Sequence, residues 1–91
     1  MREQFKLRKG KILKEVTAFG FLVEDMLNGE IIKMSLPVRF RHQSFQLNLG
    51  DIVYIIVSPF ELDRGRYFSE KHDFRLDYFN DLMAQKAELD E

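Results

Sequence analysis

Six consecutive apolar residues, Ile52, Val53, Tyr54, Ile55, Ile56 and Val57, lie between Gly50-Asp51 and Ser58-Pro59. A run this short, rich in β-branched residues and bounded by turn formers, reads as a β-strand. Pro59 closes it, because a proline cannot donate to an interior ladder. Side chains alternate along a strand, so Val53, Ile55 and Val57 share one face while Ile52, Tyr54 and Ile56 share the other. A strand apolar on both faces has to be covered on both sides. The chain must therefore enclose one face in a core and lay something over the other. In 91 residues there is room for one such core. With no cysteine, neither a disulfide framework nor a thiolate metal site supports it.

The segments before this strand are short, strand-like and separated by turn signals, without internal repeats. "QFKLRKGKILKEV" carries Phe5, Leu7, Ile12 and Val16 around Gly10, and a glycine inside a long strand predicts a bulge or sharp bend of the kind a closing barrel needs. "FGFLVEDM" places Phe19, Phe21 and Val23 on one face, with Gly20, Leu22 and Glu24 on the other. Asn28-Gly29 tolerates positive φ and predicts a tight hairpin into "EIIKMSL". "PVRFRHQSFQLNLG" is too polar for a central strand and reads as a connection with a short helical turn. After the apolar strand, "FELDRG" reads as a loop and "RYFS" as a short fifth strand. Five short antiparallel strands with a helical connection between the third and fourth describe an oligonucleotide-binding barrel, and periodicity alone leaves other small barrels open.

Charge is unevenly spread. Residues 1–72 hold 12 Lys/Arg against 9 Asp/Glu, whereas residues 73–91 hold 2 against 6. From Lys33 to Leu49 there are Lys33, Arg39, Arg41 and His42 and no acid. A local basic patch is what a phosphate-binding face requires, and it is also common on solvated loops. No run approaches the ~18 to 20 apolar residues of a membrane span. The charged start "MREQFKLRKGK" lacks the apolar stretch of a secretory signal, so a cytoplasmic protein is expected, or an organellar one after removal of a transit peptide.

Three blocks together resemble bacterial translation initiation factor one: "GKILKEV", "NGEIIKMSLPVRFRHQSFQLNLGD" and "GDIVYIIVSPFELDRGR". The likeness covers residues 5–68, with one extra residue between Phe21 and Gly29. The last block is the specific one, because a Gly-Asp-x-Val strand alone is widespread, whereas its Ser-Pro-Phe-Glu-Leu continuation with Arg-Gly-Arg is much rarer. The resemblance implies a non-enzymatic, cofactor-free factor, monomeric off the ribosome. Such a factor sits in the aminoacyl site of the small ribosomal subunit beside a small-subunit protein, contacts rRNA and supports the other initiation factors. Carried over by position, the rRNA-contacting residues are Arg39, Arg41, His42, Arg64 and Arg66. Phe40 between two arginines is a further expected RNA contact, as are Lys33 and Lys71 by charge. An arginine fork suits phosphate, with which it makes charge-assisted and often bidentate bonds.

The chain departs from the family pattern at Ser44 and Gln46, where a tyrosine and an arginine are usual, and at Glu70, where an arginine is expected and Lys71 is the nearest substitute. Each lost phosphate contact lowers affinity and flattens its salt dependence. The domain organisation read here is a barrel over residues 1–72 and an acidic helical extension over 73–91. In the extension Asp73 is placed to cap a helix whose stripe is Phe74, Tyr78 and Leu82, with Phe79 and Met83 beside it. Acids at its end oppose the helix dipole and predict a frayed last turn. The simplest arrangement packs this stripe on Ile52, Tyr54 and Ile56; docking on another protein is the alternative.

No catalytic or metal site is expected. His42 and His72 are far apart without ligand partners, and Glu61 and Asp63 sit beside Arg64 and Arg66 as local ion partners. The functional alternative to an initiation factor is a paralogous single-stranded RNA-binding barrel or RNA chaperone whose acidic tail docks a protein.

Overall fold

The computed structural model describes residues 4–91. Five strands, β1 (Lys6–Thr17), β2 (Gly20–Asp25), β3 (Ile31–Ser35), β4 (Ile52–Ser58) and β5 (Glu61–Tyr67), close into a barrel in the order β1-β2-β3-β5-β4. This is the oligonucleotide-binding fold. β1 is shared between both halves, pairing through its second half with β2 and through its first half with β4. Four seams are antiparallel, as expected, but β3 and β5 run parallel. The reason is topological: strands that alternate in direction around a closed ring of odd number must meet once in parallel.

The interior is filled by the alternate residues of each strand. Ile12, Phe21, Val23, Ile32, Met34, Val53, Ile55 and Val57 form one buried cluster. The face of β4 expected to be enclosed is therefore the interior one. Leu36 and Phe40 close one end of this cluster from the β3–β4 connection, in which Pro37 precedes a single 3-10 turn (Val38–Phe40).

Three local expectations are corrected. Gly10 is not bulged: β1 shifts register between Ile12 and Lys14 and again between Glu15 and Thr17. Gly10 instead permits close approach, since a Cβ there would collide with the Val23 side chain and lie 2.9 Å from the Glu24 carbonyl oxygen. In the β2–β3 loop only Gly29 has positive φ, at 75°, and Asn28 does not. The loop is held by the Gly29 N–H on the Asp25 carbonyl and by the Glu30 N–H on Asn28 Oδ1. β5 begins at Glu61, not Arg66. A tight turn at Pro59-Phe60 leads into it, with the Phe60 N–H bonded to Ser58 Oγ at 3.1 Å.

The C-terminal segment folds back on the barrel, as two pieces rather than one helix. α1 (Glu70–Asp73) is a single turn, and α2 (Phe79–Leu89) follows after irregular turns. Leu82 of α2 is fully buried against Leu7, Ile56 and Phe68, with Tyr54, Leu76, Tyr78, Phe79 and Met83 around them. Phe74 is 55% exposed and outside this stripe, and Ile52 is left uncovered. Gln85 bonds β1 directly: its Oε1 accepts the Leu7 N–H at 2.8 Å and its Nε2 donates to the Phe5 carbonyl at 3.1 Å. The end of α2 is tied down where fraying was expected. Asp90 accepts from Lys9 Nζ at 3.0 Å and from the Tyr54 hydroxyl at 2.5 Å, so donors from the barrel offset the unfavourable dipole.

Candidate nucleic-acid interface

The pairing of β3 with β5 builds the basic surface. Ile32 and Met34 point inward, which sends Lys33 and Ser35 outward. On β5, Gly65 is the inward position: a Cβ there would lie 2.5 Å from Ile55 Cγ2 and 2.5 Å from the Ile56 carbonyl oxygen. Its neighbours Arg64 and Arg66 are accordingly on the outside. Register sets Lys33 opposite Arg64 and Ser35 opposite Arg66. Like charges placed directly across a pairing repel. Among the described residues neither Lys33 nor Arg64 has a carboxylate within salt-bridge distance to relieve this.

Further cations lie on the connection. Arg41 donates from Nε to the Leu36 carbonyl at 2.8 Å, and its guanidinium lies 4.8 Å from the centre of the Phe19 ring. This is a cation–π contact that holds the charge at the surface. His42 is exposed, with Nδ1 2.8 Å from Ser44 Oγ. Each group of cations lines a groove. One, of about 410 Å3, is lined by Gly20, Leu22, Ser35, Lys33 and Arg64. The other, of about 390 Å3, is lined by Phe19, Arg41, His42, Phe45 and Gln46.

Arg39 and Arg66 are not free. Both reach Asp73 Oδ1, Arg39 by Nη2 at 3.3 Å and Arg66 by Nη1 at 3.5 Å. Arg39 Nη1 donates to the His72 carbonyl at 2.9 Å, and Asp73 Oδ2 accepts the Ser69 N–H at 2.8 Å. Asp73 is thus not a helix cap for the tail but an acid with 1% of its side chain exposed, between two arginines that retain 42% and 32%. Burial of a charge is tolerated only with such partners.

One further expectation changes. Phe40 is 5% exposed, with Phe45, Tyr67 and His72 around its ring at 4.8 to 5.1 Å, so packing has taken the faces a base would need. Lys71 is exposed on α1 and enters none of the ion pairs among the described residues; beside it, Glu70 pairs with Lys86 at 3.5 Å. Sequence reasoning missed Asp73 as a site residue, because nothing local to it announces two arginine partners. It also grouped Phe19 on one face with Phe21 and Val23, which are buried, whereas Phe19 is exposed and carries Arg41. Among the described residues, no group of three His, Cys, Asp or Glu is placed to hold a metal ion.

No family model matches the chain, and no curated protein does. Solved structures do. The chain is similar to YjeQ from Thermotoga maritima, with 28% identity and a TM-score of 0.55 over 69% of its length, and it spans only 22% of that protein. It is also similar to translation initiation factor one from the Wolbachia endosymbiont strain TRS of Brugia malayi, with 18% identity and a TM-score of 0.55, covering 80% of this chain and 88% of that one.

Proposed function

We propose that this protein binds RNA through the outer face of β3, β5 and the 3-10 connection, and that it does so on the small ribosomal subunit as a factor of the initiation-factor-one type. The observation that carries the reading is the uncompensated pairing of Lys33 with Arg64. A fold places two cations side by side at a cost, and a bound phosphate relieves that cost. Arg41 and His42 add cations on the connection, and grooves of about 410 and 390 Å3 lie beside the two groups of cations, where unpaired bases, the usual targets of sequence-tolerant barrels, would sit. The matching length and arrangement of a solved initiation factor support the ribosomal assignment, as do the three sequence blocks. Binding at the aminoacyl site beside a small-subunit protein, together with the other factors, is the finer form of this proposal. So is a cytoplasmic location.

Co-sedimentation with isolated subunits tests the reading. Wild-type protein is expected to travel with small subunits and not with large ones, and Arg64→Ala with Lys33→Ala is expected to release it. Equal association with both subunits, or retention of the double variant, refutes the ribosomal assignment or the proposed face respectively.

A further inference from the structure

We infer that Asp73 is an internal competitor for RNA phosphate, and that by occupying Arg39 and Arg66 it sets how many phosphates the basic face engages. The inference rests on the RNA-binding reading above and extends it to the tail. Its basis is how the guanidinium nitrogens are used. Arg39 spends both terminal nitrogens on the tail, one on Asp73 Oδ1 and one on the His72 carbonyl. Arg66 spends Nη1 on the same carboxylate oxygen. A carboxylate oxygen between two guanidiniums from separate elements is the arrangement a phosphate oxygen would take there.

The competitor is held in place by Ser69, just before α1, and by His72 within it. Ser69 N–H fixes Asp73 Oδ2 at 2.8 Å, and Ser69 Oγ lies 2.9 Å from His72 Nδ1. The His72 ring packs edge-on against Phe40, with centroids 4.8 Å apart. The acid is therefore anchored to the barrel wall beside the arginines it occupies. Lys33, Arg64 and Arg41 have no such partner among the described residues and make up the working contact set.

The test is binding of oligouridylate by full-length wild type and Asp73→Asn as a function of salt, with thermal melting in parallel. Asparagine keeps an oxygen for the Ser69 N–H and removes the charge. The expected result is tighter binding by roughly tenfold near 0.1 M salt, with the slope of log affinity against log salt steeper by up to about 1.4, two contacts at ~0.7 each on a single strand. Adding Arg39→Gln and Arg66→Gln to Asp73→Asn is expected to erase the gain. Unchanged or weaker binding by a folded Asp73→Asn protein, beside a wild type that binds, overturns the inference alone. Failure of both proteins to bind overturns the RNA-binding reading and the inference with it. Should Asp73→Asn not fold, the arginine side-chain N–H resonances of wild type decide. Oligouridylate is expected to shift Arg64 and leave Arg39 and Arg66 in place, and shifts at Arg39 and Arg66 overturn the inference.

Discussion

Replacing Leu82 by alanine, with Phe74→Ala as its companion, distinguishes a tail docked through α2 from one continuous helix starting at Asp73. The two side chains lie eight residues apart, and an unbroken helix would set both on one apolar stripe. The structure separates them: Leu82 is 0% exposed among Leu7, Ile56 and Phe68, and Phe74 is 55% exposed. Truncating a fully enclosed leucine removes its transfer free energy and leaves a cavity, which costs about 2–5 kcal/mol. For a domain of this size 1 kcal/mol moves the melting temperature by roughly 4–8 °C, so a loss near 3 kcal/mol means about 12–24 °C. Phe74→Ala is expected to stay within about 0.5 kcal/mol. Urea unfolding followed by circular dichroism gives both numbers, and limited proteolysis shows whether Leu82→Ala first frees the tail from an intact barrel. A cost below ~1 kcal/mol for Leu82→Ala means that α2 is not docked as described. A Phe74→Ala cost matching that of Leu82→Ala means the single-helix picture was right.

Gly65→Ala is expected to destabilise by about 1–3 kcal/mol or more, because the added carbon meets Ile55, Val57 and a backbone oxygen at once; an unchanged urea midpoint would show that the β3–β5 seam is misplaced. Lys33→Ala and Arg64→Ala are each expected to flatten the salt slope of oligouridylate binding by about 0.7 while raising the melting temperature slightly, because each removes one side of an unfavourable pairing. Tyr54 is pushed up from 10.0 to about 12, first by burial and then by its hydrogen bond to Asp90 and the nearby acids. Since the folded value lies above the unfolded one, this stabilisation is complete below pH 10 and disappears as pH rises toward 12. Burial also raises Tyr67, so ultraviolet titration should show Tyr54 and Tyr67 titrating late, and Asp90→Asn should bring only the Tyr54 step earlier. The Asp90 carboxyl is held below 3.8, chiefly by the bonds from Tyr54 and Lys9. Its contribution is therefore present above the ordinary carboxylate range and lost as pH falls through the lowered folded value. Faster hydrogen exchange at the end of α2 under strong acid would report that loss, and no change would exclude the contact.

The parts of the fold legible in the sequence were those in which a side chain records its own surroundings. β4 was readable because six apolar residues between Gly50 and Pro59 have few other uses, and Phe21 and Val23 followed by alternation. β5 was half hidden, since Glu61, Leu62, Asp63 and Arg64 are all exposed and their strand character comes from backbone pairing with β4 and β3. The tail stripe was visible, but periodicity does not mark where a chain breaks, so the turns between α1 and α2 went unread. Of the basic residues, Lys33 and Arg64 were found as separate charges, and only the parallel register made them a pair. Asp73 was least legible of all, because its partners lie 34 residues before it on the connection and 7 before it on β5. A buried ion pair depends on what tertiary structure brings together.

The two hydrogen bonds from Gln85 bear on how this molecule behaves in a crowd. At its N-terminal end β1 pairs with β4 on one side, and on the other the Leu7 N–H and the Phe5 carbonyl would face outward as an open template for a neighbour's strand. One amide side chain answers both groups, as a single rung of a sixth strand would. Gln85→Ala should therefore leave the monomer folded yet raise its tendency to self-associate as concentration increases. That outcome would make the C-terminal helix a guard against edge-to-edge aggregation, a task separate from the contacts α1 makes with Arg39 and Arg66.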